Sequence, residues 1–116
     1  MDSRERREVL RELTKVAEGM LQGTLSQTTR TCGTPGCRCH QGERHGPHTY
    51  LTFKTAQGRS NGLYVPQVEL ERFEEGVASW KRFWELATRI AADNRERIAA
   101  RRRTEKAKVK ARARQA

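Results

Sequence analysis

The feature that most constrains this chain is a short segment in which three cysteines and a histidine sit where regular structure cannot persist. Residues 32–47 hold Cys32, Cys37, Cys39 and His45 among four glycines and two prolines. Backbone so rich in Gly and Pro turns repeatedly and needs an internal staple. The pattern Cys-x4-Cys-x-Cys-x5-His offers four donors of the kind that close a tetrahedral structural zinc site. Three cysteines are an odd number and crowd into eight positions, which argues against a disulfide framework and for a reducing compartment. His40 and His48 are alternative fourth ligands. His40 is disfavoured as the neighbour of Cys39, and His48 because it enters the next strand. Four protein ligands leave no open position for a water, so the expected Zn2+ is structural, and its role is to fold the loop.

The elements around this loop are legible from periodicity. Between Ser3 and Leu21, Val9, Leu13, Val16 and Met20 recur at helical steps, joined by Leu10 and Ala17. Thr24 to Thr31 is polar and suits a connector or a first short strand. Thr49 to Lys54 and Gly62 to Val65, split by a turn-like stretch, predict an antiparallel β-hairpin. Pro66 suits the first position of a long helix, in which Leu70, Phe73, Val77, Trp80, Trp84, Ala87, Ala91, Asn94 and Ile98 alternate steps of three and four. Phe83 and Ile90 widen that seam. Trp80 and Trp84 are read as core, packing on the first helix near Val9, Leu13 and Val16. The expected fold is therefore α+β: an N-terminal helix, a zinc-stapled loop with a small antiparallel hairpin, and a long C-terminal helix antiparallel to the first. Residues 1–94 are read as one compact domain and 95–116 as a basic tail, helical or disordered.

At these residues the chain resembles an uncharacterised family of short bacterial proteins often encoded near transposases. The resemblance spans about Met20 to Ile90. It rests on Cys32-Gly-Thr-Pro-Gly-Cys37-Arg-Cys39, on His45-Gly46-Pro47, on Tyr50-Leu51, and on Tyr64-Val65-Pro66 at the start of the long helix. It implies the same succession of elements and maps the three cysteines and His45 onto shared positions. Members carry aromatic residues after His-Gly-Pro where this chain has His48 and Thr49, so of an aromatic platform on that strand Tyr50 alone remains.

Charge decides the class of partner. Lys and Arg number 24 against 14 acidic residues, a formal charge of +10, and residues 95–114 hold ten basic and two acidic side chains, most of that excess. Such a balance points to a polyanion. The expected function is a nucleic-acid-binding accessory protein, with DNA favoured over RNA and a link to a mobile element. Its tail contacts are Arg95, Arg97, Arg101, Arg102, Arg103, Lys106, Lys108, Lys110, Arg112 and Arg114. Arg30, Arg38, Arg44, Lys54 and Arg59 of the loop and hairpin form a second surface. The alternative is an adaptor whose helical seam pairs with a second copy or with a recombinase or transposase as a coiled coil. No Ser/His/Asp set, Walker loop or dinucleotide fingerprint is present, so an enzyme is not expected. With no apolar run long enough to span a bilayer and a charged N-terminus, the chain reads as soluble and cytoplasmic, without a membrane partner.

Overall fold

The computed structural model describes residues 1–116, the side chain of Arg30 excepted. In chain order it comprises α1 (Ser3–Ala17), β1 (Thr24–Arg30), β2 (His45–Lys54), β3 (Ser60–Val65) and α2 (Leu70–Gln115). A 3-10 turn over Gln67–Glu69 precedes α2, so Pro66 caps that turn and lies outside the helix. Among the described residues no helix is long and apolar enough to cross a membrane. The chain divides into two compact units, Met1–Val16 with Arg82–Ala116, and Ala17–Lys81.

In the first unit α1 runs antiparallel to α2. Val9, 5% exposed, and Leu86, fully buried, are its apolar centre. Three arginines tie the helices along their length. Arg82 clasps both carboxylate oxygens of Glu12, at 2.5 and 3.0 Å. Arg89 reaches Glu5 at 2.8 Å, and Arg6 reaches Asp93 at 2.5 Å and Asn94 at 3.0 Å. Asp93 is buried and also accepts from Arg97, one turn on, at 2.8 Å. Two arginines compensate the buried carboxylate, which makes burying it tolerable.

The seam expected on α2 needs correction here. Its buried face runs through Phe83, Leu86, Ile90 and Asp93, about one residue out of phase with Trp84, Ala87, Ala91 and Asn94. Trp84 is 54% exposed and Ile98 57% exposed, so Trp84 does not form the core against Val9, Leu13 and Val16. The physical reason is the ion-pair ladder. Glu5, Glu12 and Arg6 on α1 need Arg89, Arg82 and Asp93 opposite them, and that register rotates Leu86 inward and Trp84 outward. A coiled coil is not supported.

In the second unit, β1, β2 and β3 form one antiparallel sheet with β2 central. The stretch Thr24–Arg30 is thus a full strand, and the expected hairpin is a three-stranded sheet. Strand alternation puts Leu51, Val65 and Thr49 on a covered face, each no more than 6% exposed. Within the same unit the Leu21 amide donates to the Gly76 carbonyl at 2.9 Å. A Cβ on Gly76 would lie 2.6 Å from Leu21 Cδ1 and 3.0 Å from the Gly19 carbonyl oxygen, so this turn of α2 requires glycine.

Candidate metal centre

The loop between β1 and β2 begins and ends on paired backbone. Arg30 stands opposite His45, with a bulge between Thr28 and Arg30 that re-aims the strand where the loop starts. Gly46 has φ +115°, and a Cβ there would lie 2.9 Å from both the Thr28 carbonyl oxygen and the His48 amide. No other residue fits at that point, which gives the His45-Gly46-Pro47 motif a structural cause. Cys37 and Cys39 are brought together by a 3-10 turn over Arg38–His40, and Cys37 occupies its cap position in extended backbone.

These constraints gather four ligand atoms. The Sγ atoms of Cys32, Cys37 and Cys39 and a ring nitrogen of His45 lie within 4.8 Å of one another. Cys39 Sγ is 3.4 Å from Cys32 Sγ, and Cys37 Sγ is 3.3 Å from His45 Nε2. In a tetrahedral zinc site with Zn–S of about 2.3 Å, the ligand atoms stand roughly 3.5–3.8 Å apart. The observed spacing needs only small adjustments to reach that, and three thiols with one imidazole are a donor set suited to zinc. The four side chains could hold a metal ion. Cys39 is buried, Cys32 and Cys37 are half-buried and His45 is exposed, so the cluster faces solvent on its histidine side.

The electrostatics ready one of the sulfurs, that of Cys32, as a ligand. The Thr34 amide, followed by contacts with Cys39 and Cys37, pulls the Cys32 thiol down to about 6. His45 is raised, by hydrogen bonds first to Cys32 and then to Cys37. Cys39 is pushed up, chiefly by burial. A thiolate is the ligand form of cysteine, so metal binding releases any proton that a ligand still carries. The Cys32 amide also donates to Cys39 Sγ at 3.2 Å, an outer contact that orients a buried sulfur.

Neither rival histidine joins the cluster. His40 Nε2 lies 3.1 Å from the Thr34 carbonyl oxygen, to which it donates. His48 stands opposite Thr28 on β2, its ring against Tyr64. Arg38, Arg44, Lys54 and Arg59 are exposed, while the Arg30 side chain lies outside the described residues. In the basic segment Arg97 is engaged with Asp93, and Arg103 with Glu96 at 2.9 Å. Every residue from Ala100 onward is exposed, and α2 continues helical through them to Gln115.

In the sequence Tyr64 stands out only as part of the Tyr64-Val65-Pro66 motif, not as a site residue. Folding the hairpin about the Thr55–Gly58 turn gives it a partner, because that turn pairs Lys54 with Ser60 and hence Tyr50 with Tyr64.

Comparison with known proteins adds a family without an activity. A family described as a domain of unknown function, DUF6788, matches residues 2–75. No curated protein and no solved structure matches the chain.

Proposed function

The chain belongs to the DUF6788 family, and from that premise we propose that it is a small, zinc-containing accessory protein that binds nucleic acid. The observation that carries this reading is the last third of α2. Residues 101–114 present Arg101, Arg102, Arg103, Lys106, Lys108, Lys110, Arg112 and Arg114 against the single acid Glu105, and all are exposed. Successive residues of a helix rotate by about 100°, so these cations surround the axis on all sides. Dense like charge opposes an isolated helix, and a polyanion is the partner that relieves it. DNA is favoured over RNA, since the proposal includes service to a mobile element, the setting of the family that the sequence resembles. The family match covers residues 2–75, so the basic segment lies outside the matched part. The Cys/His cluster serves structure in this proposal: the metal holds the loop that joins β1 to β2.

The test is the salt dependence of binding to random duplex DNA, for the full chain and for a chain ending at Ala100. That cut leaves the Arg97–Asp93 pair intact. If roughly six cations meet phosphates, log K falls with log salt at a slope near −5. Truncation should remove most of that slope. Equal affinities and equal slopes would end the reading and favour the adaptor alternative, for which the exposed Trp84 and Ile98 on α2 are the supporting observation.

A further inference from the structure

The sheet has two faces of different chemistry, and only one is covered. Strand alternation and the observed register put Thr24, Ser26 and Thr28 of β1, His48, Tyr50, Thr52 and Lys54 of β2, and Gly62 and Tyr64 of β3 on the other face. This face carries no acidic side chain. At its centre stands an aromatic group drawn from two strands. The Tyr64 ring is 5.7 Å from Tyr50 and 6.1 Å from His48, at interplanar angles of 65° and 66°. Tyr64 is 51% exposed, while Tyr50 and His48 are half-buried. Tyr50 and His48 thus wall Tyr64 in edge-on, in the arrangement aromatic rings prefer, and fix a ring that solvent reaches.

We infer that this open face is a stacking platform for single-stranded nucleic acid, with Tyr64 receiving a base between the edges of Tyr50 and His48. The inference rests on the proposal that the protein binds nucleic acid, and it names the form bound by the sheet. Aromatic side chains on a sheet surface suit unpaired bases, because every base has a π-face and stacking tolerates any sequence. Duplex bases stack on each other at about 3.4 Å per step and offer no free face to a ring held on a sheet. Charge matches this occupant. Residues 24–65 hold five basic side chains and one acidic, and Lys54 lies on the platform face itself. The hydroxyls of Thr24, Ser26, Thr28 and Thr52 surround the rings with donors for phosphate and sugar oxygens. The tail binds any phosphate backbone; the sheet selects unstacked bases.

The experiment measures affinities of the full, zinc-loaded chain for a labelled oligo-dT strand and for a duplex of equal length. Three variants are compared: Tyr64→Phe, Tyr64→Leu and Thr52→Glu. Phe keeps the ring and should bind oligo-dT as the parent does. Leu keeps an apolar side chain but has no π-face, and should weaken oligo-dT binding about tenfold with duplex affinity unchanged. Thr52 is exposed, so Thr52→Glu leaves the fold intact and places a negative charge beside the rings, with the same selective loss expected. Oligo-dT affinity unchanged in Tyr64→Leu and Thr52→Glu, or lost equally for strand and duplex, overturns the platform while leaving nucleic-acid binding standing. A parent that binds neither strand nor duplex overturns the proposed function itself.

Discussion

Two residues on α2, Leu86 and Trp84, report which face of the helix meets α1. Leu86 is fully buried and Trp84 is 54% exposed, although the larger side chain is the one a seam drawn from sequence puts inside. Leu86→Ala removes three carbons at about 0.8 kcal/mol each, and the cavity left behind raises the cost to about 3 kcal/mol. In a chain of this length that corresponds to a fall in Tm of about 12 °C, at roughly 4 °C per kcal/mol. Trp84→Ala exchanges a half-exposed ring for the best helix former and should cost about 1 kcal/mol or less. The assay is thermal and urea unfolding of both variants, each saturated with zinc so that metal loss does not mix with unfolding. A Trp84→Ala cost equal to or above that of Leu86→Ala would refute the phase of the helix pair and the ion-pair ladder that sets it.

Protein purified without chelator should carry one zinc per chain by elemental analysis. His45→Ala should weaken zinc by more than the roughly 10- to 100-fold that losing an outer-shell partner costs, while His40→Ala leaves it unchanged. Asp93 is held below the ordinary carboxylate range, first by Arg97 and then by Arg6, with burial opposing. A depressed value means that its stabilisation is present above about pH 4 and lost as pH falls through that range toward the folded-state value. Acid melts should therefore show the parent losing stability more steeply than Asp93→Asn between neutral pH and about pH 3. Gly76→Ala would stabilise an ordinary helix interior by roughly 1 kcal/mol, but here the methyl group meets Leu21 and the Gly19 carbonyl, so a destabilisation of about 1–3 kcal/mol is expected in the same melts.

Much of this structure is legible from the chain alone, for identifiable reasons. The first helix, the hairpin and the long helix follow from periodicity, which is a local property. The metal-ready cluster follows from four rare side chains crowded into a turning segment, and the structure gathers the same four, including His45. What stayed hidden depends on partners distant in sequence. The phase of α2 is set by Arg82 finding Glu12 and Asp93 finding Arg6, 70 and 87 residues apart. A seam drawn on apolar residues gives such pairs no weight, and a buried aspartate runs against it. Tyr50 similarly reads as an isolated aromatic because its companion Tyr64 lies on the next strand. The third strand is hard to foresee because Thr24–Arg30 is polar, and an edge strand with one open face has little need for apolar side chains.

The position of the Cys/His loop bears on how the protein would behave when zinc is scarce. β1 is an edge strand joined to the sheet through the long connection 31–44, and closing a connection of that length costs chain entropy that grows with its contour. A metal gripping both ends of the connection removes most of that cost, much as a cross-link does. Stripped of metal, β1 is the edge strand whose connection to β2 is long and unstapled. Its departure would uncover the hydrogen-bonding edge of β2, a ten-residue strand containing the run Thr49–Phe53, and an exposed edge of that kind recruits strands from other molecules. Zinc supply would then govern solubility as well as folding, with chelation producing β-rich aggregates rather than a dispersed unfolded chain.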